Sequence, residues 1–437
     1  MKHSVTLSLT FALVACSQME SLALAEASPK QPNVVLIMAD DLGAECIGAY
    51  GGKSYETPRI DALAAQGMRF ENAFSMPLCG PTRACILSGR YPFRSGVTTN
   101  QGVQGFNIPW GRGDKPEITF AHLMKAQGYA TAIAGKWALC KFDKSPDHVK
   151  ECGFDSYRMW PKVYKGQMTH RYWAPDRFQD GTFHPRTKGV FGPDHECEYL
   201  IEFIRKHRDK PFLAYYPMTL IHGPLEVPPD ASADKDKRFA ANIHYVDRLV
   251  GRLVDAIDEL GLAKNTLIIF TCDNGTGGGA SSRLGDRLIK GGKGKVTDAG
   301  TRVPFVARWT DTIQSRRVTE DLIDLSDILP TLAELSGAAS PTDRTIDGRS
   351  FAPQLRGRAG EPREWVYLQN GKNIVVRGKR WSVNQAGQLF DLTDRYSPKT
   401  VESGQGGAEA DAARKRLTAA LQSIQSEGTG KPRKDRR

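Results

Sequence analysis

Two oxygen-rich pairs and one cysteine in this 437-residue chain have types and spacings suited to chemistry on an anion. Asp40-Asp41 and Asp273-Asn274 offer only oxygen donors, the set that a hard divalent cation such as calcium or magnesium takes more readily than zinc does. Adjacent carboxylates at one strand end repel each other unless a cation lies between them, although either pair alone also reads as a turn former. Proline is favoured at the first helical position, so a helix is predicted to start at Pro81, just after Cys79. Cys79 and Gly80 then lie where unpaired N–H groups and the positive end of the helix dipole point outward, a place that suits anions. Arg83 is four residues beyond Cys79 on the same helix face, where it could hold a further oxygen of an oxyanion. The arrangement suits a nucleophile that attacks an anion.

Three buried-strand patterns must carry these residues. Asn33-Val-Val-Leu-Ile-Met38 is continuously apolar, the pattern of a strand covered on both faces of a parallel sheet, and Asp40-Asp41 follow its carboxyl end. Thr266-Leu-Ile-Ile-Phe270 runs in the same way into Cys272-Asp273-Asn274-Gly275, and Pro211-Phe-Leu-Ala-Tyr-Tyr216 leads to Thr219-Leu-Ile-His222. Ligands of open α/β sheets bind beyond the carboxyl ends of strands, so the three segments are expected to converge on one site. Arg238 to Leu260 is predicted helical, with Val246, Leu249, Val250, Leu253, Val254 and Ile257 at helical spacing. His244 within it reads as a packing or surface residue rather than a ligand. Asp324 to Leu335 is predicted as a further helix that Pro330 kinks or splits. After a boundary at Gly337 to Pro341, short strands are expected over 364–367, 374–377, 380–383 and 388–391, and a helix over 408–424.

Length and composition fit a globular chain with one large domain and a smaller appendage, and exclude fibrous and disorder-dominated classes. Met1-Lys-His and the apolar run Val5 to Ala15 have the form of a secretory signal, too short to be a permanent transmembrane helix. Ala23-Leu24-Ala25 offers a cleavage site; Leu13-Val14-Ala15-Cys16 is a competing lipoprotein box that would leave a lipid anchor on Cys16. The expected organisation is a signal peptide over 1–25, a catalytic domain over 32–345, a C-terminal subdomain over 346–425 and a basic tail over 426–437. Export places the protein in the periplasm or outside the cell, or on the outer membrane as a lipoprotein. It also permits disulfides, and among the cysteines at 46, 79, 85, 140, 152, 197 and 272, Cys140 with Cys152 is the pair to test first. No Cys/His cluster has zinc spacing. The net charge of +11 attracts polyanions of any kind; with an export signal, sulfated polysaccharide is a better partner than nucleic acid.

Cys79-Gly-Pro-Thr-Arg83, followed by Ile86-Leu-Ser-Gly-Arg90, resembles the signature of the formylglycine-dependent sulfatases of the alkaline-phosphatase-like superfamily. Gly128-Tyr-Ala-Thr-Ala-Ile-Ala-Gly-Lys136-Trp137 resembles their second signature, and the likeness covers most of residues 32 to about 355. The resemblance implies an α/β fold: a large mixed, mostly parallel sheet flanked by helices, with a small C-terminal α+β subdomain. It implies that a maturation enzyme oxidises Cys79 to formylglycine, whose hydrate carries one hydroxyl to attack sulfur and another to expel sulfate afterwards. It carries the metal site over to Asp40, Asp41, Cys79, Asp273 and Asn274, with calcium expected ahead of magnesium. By the same likeness Lys136 contacts the formylglycine and the sulfate, His222 of His222-Gly-Pro224 faces the sulfate and leaving group, and Lys293 of Gly292-Lys293-Gly294 matches the family lysine. The second signature usually continues with histidine, where this chain has Ala138; such a group contributes roughly 10²–10⁴-fold, so its absence slows turnover without abolishing it.

The implied activity is hydrolysis of O-sulfate esters, of a sulfated carbohydrate before an aryl sulfate. Tyr157, Trp160, Tyr164, Tyr172, Trp173 and Phe178, with Lys162, Lys165 and Arg171, are expected at the substrate rim or in a satellite core. The alternatives are a formylglycine-dependent phosphodiester or phosphonate monoester hydrolase, and a degenerate sulfatase that binds sulfated glycan without turnover.

Overall fold

The computed structural model describes residues 31–103, 116–231, 234 and 237–428. The signal segment 1–25 with Cys16, and residues 429–437 of the basic tail, lie outside the described residues. From Pro32 on, the described residues form one compact unit. The continuous apolar runs become the middle of a ten-stranded sheet, because a strand covered on both faces needs no polar alternation. Five parallel strands make that middle: β1 (Asn33–Ala39), β2 (Ala130–Lys136), β3 (Ser156–Trp160), β4 (Phe212–Pro217) and β5 (Thr266–Cys272), in the spatial order β5-β1-β4-β2-β3. Arg177–Gln179 and Thr182–His184 extend one edge antiparallel. On the other edge Val306–Arg308 and Met68–Phe74 are antiparallel additions, and Arg317–Asp324 closes the sheet parallel to the last of them.

Side chains alternate across β1, so Val34, Leu36 and Met38 enter one core while Val35, Ile37 and Ala39 enter the other. The first core is covered by α1 (Cys79–Ser88), the helix Phe120–Ala126 and the helix Ile328–Ser336. The second is covered by Pro58–Ala65, α2 (Gly192–Lys206) and α3 (Arg238–Glu259), which buries Val246, Leu249, Val250, Leu253 and Ile257 and leaves His244 exposed.

Two expectations fail for local reasons. Asp324 ends a strand rather than starting a helix, and a tight turn follows in which its carboxylate accepts from the Ser326 N–H at 2.9 Å. The helix begins at Ile328, so Pro330 lies in its first turn, where a missing N–H breaks no bond and no kink is required. No disulfide joins Cys140 and Cys152 or any other described cysteines, and Cys152 is packed in the first core.

Val366–Asn370, Asn373–Arg377, Trp381–Asn384, Leu389–Asp391 and the unexpected Lys399–Val401 form a five-stranded antiparallel sheet. The helix Gly407–Gly428 covers it with Leu417, Leu421 and Ile424. This layer packs on Met76, Cys85 and Tyr91 around α1, and Asn370 Nδ2 donates to the Gly294 carbonyl at 2.7 Å. The appendage thereby supports the loop that carries Lys293.

Candidate active site

Backbone hydrogen bonds tie the strand ends together. The Asp40 N–H donates to Leu220 O and the Ile221 N–H to Asp40 O, both at 2.8 Å, while the Asp273 N–H donates to Ala39 O at 3.0 Å. Asp41 adopts φ +64°, a left-handed conformation that Asp tolerates better than most residues, and its N–H reaches Asp273 Oδ1 at 3.2 Å. Asn274 Nδ2 donates to Asp41 Oδ1 at 2.8 Å. Residues more than 230 positions apart thus share one buried cluster.

Cys79 is the first residue of α1, two residues earlier than expected. Pro81 therefore stands third in the helix, because proline is harmless anywhere in a first turn and does not mark the exact start. The Gly80 N–H donates to Asn100 Oδ1 at 2.8 Å, so Asn100, which nothing in its sequence context marks, completes the helix end. Cys79 Sγ lies 3.5 Å from Asp40 Oδ1, 4.0 Å from Asp41 Oδ1, 3.3 Å from Asn274 Oδ1 and 3.5 Å from Lys293 Nζ. Burial, then Asp273 and Asp40, push the thiol well above its ordinary pKa, so it stays protonated at neutral pH. A simple thiolate nucleophile is disfavoured here.

Arg83 does not face an incoming anion. It is fully buried, with Nε and Nη2 on Asp273 Oδ2 at 3.1 and 2.7 Å, Nη2 on Asp40 Oδ2 at 3.3 Å, and Nη1 on the Lys136 carbonyl at 2.5 Å. Lys136, at the end of β2, places Nζ 2.5 Å from Asp40 Oδ2. Gly135 before it has φ +126°, and a Cβ there would collide with the Pro217 carbonyl oxygen, so only glycine lets the strand turn Lys136 inward. Lys293 Nζ contacts both oxygens of Asp41, at 2.5 and 2.7 Å.

His222 Nδ1 is 2.8 Å from the Gly223 carbonyl, which assigns the ring proton to Nδ1 and leaves Nε2 unprotonated in the neutral ring. Burial chiefly, with Lys136, Lys293 and Arg171 adding to it against Asp40, lowers its pKa to about 4. The His222 carbonyl accepts from Arg171 Nη2 and Tyr172 Oη, both at 2.7 Å. Arg171 thus braces the His222 loop rather than the substrate rim. Tyr157, Tyr172 and Phe178 are also core residues, whereas Trp160 lines the site. Trp173 is exposed and donates its Nε1–H to Val227 O at 2.8 Å, away from that rim; Lys165 lies over the Tyr164 ring.

Donor atoms of Asp40, Asp41, Cys79 and Asp273 all lie within 4.8 Å of one another. Burial raises Asp40, but Lys136, ahead of His222, Arg83 and Lys293, outweighs it and holds that carboxyl far below its usual range. Asp41 and Asp273 are instead pushed upward, by burial first and by Asp40 next. Four acidic or thiol donors converge with an amide oxygen in one buried place, and the carboxylate and amide oxygens fit a hard divalent cation. Above Cys79 opens a cavity of about 330 Å³, lined in part by Lys136, Ala138, Phe142, Trp160, Lys162 and His222. Ala138 has φ +58°, and its methyl brings no proton-carrying group to that wall.

A protein-family model described as Sulfatase matches residues 32–338. The chain belongs to the sulfatase family. This sulfatase is 34% identical over 384 residues to arylsulfatase A of Homo sapiens, across 82% of the chain and 74% of that relative. It is 31% identical over 452 residues to steryl-sulfatase of Mus musculus, across 85% of the chain and 72% of the relative. Among solved structures it is similar to Ps i-CgsB in complex with k-i-k-neocarrahexaose, with TM-score 0.74 and 25% identity over 92% of this chain and 93% of the other. The sulfatase is therefore a sulfuric ester hydrolase, and its fold is the alkaline-phosphatase-like arrangement of that family. No helix among its described residues is long and apolar enough to cross a membrane.

Proposed function

We propose that this sulfatase is exported and hydrolyses O-sulfate esters of sulfated carbohydrates, using formylglycine made from Cys79 by a maturation enzyme and calcium held by Asp40, Asp41, Asp273, Asn274 and position 79. One observation carries the reading: Cys79 Sγ sits at a helix start within 3.3–4.0 Å of three oxygen donors from two strand ends and opens onto the cavity. When bound, the two groups supply a strongly nucleophilic hydroxyl and a Lewis acid for the sulfate oxygens.

The chain's own residues have distinct tasks. Lys136 and Lys293 bring positive charge to the neighbourhood of Cys79, where negative charge on the transferring sulfuryl group accumulates; preorganised charge of this kind is worth about 3–4 kcal/mol per donor. His222, with its proton fixed on Nδ1, offers Nε2 to the leaving-group side. Arg83 holds Asp40 and Asp273 at fixed spacing. Trp160 and Phe142 give the cavity apolar walls against which a sugar ring can lie. The carbohydrate assignment is supported by those walls and by the oligosaccharide bound to the similar Ps i-CgsB.

The test is peptide mass spectrometry across Cys79 on protein from its native host, followed by sulfate release from a panel of sulfated sugars with and without calcium. Conversion at Cys79 with calcium-dependent release is expected. Sulfate release from a protein whose Cys79 is wholly unmodified would remove the proposed nucleophile. Faster turnover of matched phosphate or phosphonate esters would move the assignment to that alternative.

A further inference from the structure

We infer that the mouth of the cavity above Cys79 is a second anion subsite, in which Lys162 with Lys141 takes a further sulfate or carboxylate group of the substrate. The inference rests on the proposed reading of this cavity as the sulfate-ester site.

Both lysines line the cavity and both are exposed, and neither has an ion-pair partner among the described residues. No described aspartate or glutamate lines the cavity. The three carboxylates beneath it are engaged by Arg83, Lys136 and Lys293, so they leave the outer lysines uncompensated. Partial burial first, and then the positive charge of Lys136, Lys293 and Arg171, lowers the ammonium pKa of Lys162. A lysine held against like charges is stabilised when an anion arrives.

The turn that carries the lysine is fixed in place. The Lys162 backbone has φ +50°, in the left-handed region. The Lys162 carbonyl accepts from the Thr169 N–H at 3.0 Å across the small hairpin Val163–Tyr164 and Gln167–Met168. The pinned turn starts the Lys162 side chain from a fixed point beside Trp160 on the cavity wall. A sugar ring on Trp160 with its scissile sulfate at Cys79 would bring a second anionic substituent to the mouth.

The experiment compares kcat/KM for the best monosulfated saccharide of a panel with counterparts that carry a second sulfate or a uronate carboxylate. The wild type is expected to prefer at least one doubly anionic counterpart by about tenfold or more, and the preferred substituent identifies the anion. Lys162→Asn removes the charge and tolerates the left-handed backbone, so the fold is kept. It should reduce that preference at least about tenfold, equivalent to about 1.4 kcal/mol, while Lys162→Arg retains it. Lys141→Ala should reduce it by a smaller factor. Absence of any preference in the wild type, or an equal loss on both substrates in Lys162→Asn, would overturn the subsite. Failure of converted, calcium-loaded wild type to release sulfate from any sugar would instead overturn the proposed function beneath it.

Discussion

Removal of the Arg83 guanidinium tests whether this residue builds the site or binds substrate. Its nitrogens make charged contacts to Asp273 and Asp40 and a further bond to the Lys136 carbonyl, all in a fully buried setting. A hydrogen bond to a charged group is worth about 1.5–3 kcal/mol, and removing one member of a buried ion pair costs about 3–5 kcal/mol because the partner is left uncompensated. These figures describe the same loss and do not add, so Arg83→Ala should destabilise the protein by about 3–5 kcal/mol. That is a large part of the roughly 5–15 kcal/mol typical of a folded protein. Arg83→Lys keeps the charge but not the planar fork, and should lose about half as much. Urea unfolding followed by circular dichroism at pH 7 reads the shift in midpoint at unchanged slope. Calcium content per chain should fall in parallel, since Asp40 and Asp273 lose their spacing. The reasoning is refuted if Arg83→Ala stays within about 1 kcal/mol of wild type and shows only a raised KM for sulfate esters, the behaviour of a residue that merely holds the anion.

Asp273→Ala should abolish sulfate release and calcium retention while leaving the circular dichroism spectrum intact; near-normal turnover would sink the metal assignment. Ala138→His restores the imidazole that the family signature carries at this place in the cavity wall, and kcat should rise by at least about tenfold, up to the roughly 10²–10⁴-fold of a fully positioned group; an unchanged kcat in the folded variant would show that another group already does the work. Glu196 is buried behind the His222 loop and its carboxylate accepts from Thr219 Oγ1 at 3.2 Å, and burial pushes its pKa up to about 8. Because that folded value lies above the unfolded one of 4.5, its contribution to stability is full below pH 4.5 and is lost as pH rises through 8. The neutral Glu196→Gln variant should therefore gain on wild type between pH 5 and 8, by up to about 4 kcal/mol, and parallel pH–stability curves would contradict this.

Adjacency and periodicity carried far in this chain. Asp40-Asp41, Asp273-Asn274 and the Cys79 motif were legible because their chemistry lies within a few consecutive residues. The strands behind them were legible because burial on both faces demands unbroken apolar runs, and α3 because one buried stripe demands helical spacing. Even so, the start of α1, the strand ending at Asp324 and the absence of a Cys140–Cys152 disulfide depended on partners that sequence spacing does not specify.

What tertiary structure alone decided is direction. Arg83 shares a helix face with Cys79, yet the buried carboxylates of two strand ends draw it inward, since an uncompensated charge there costs more than a solvated arginine gains. Arg171 was drawn in the same way by the His222 and Pro224 carbonyls. Lys162 was left facing the cavity because its turn is pinned beside Trp160 and no described carboxylate reaches it. The residue types and local order set which groups could meet, and the long-range balance of buried charge set which of them face the substrate.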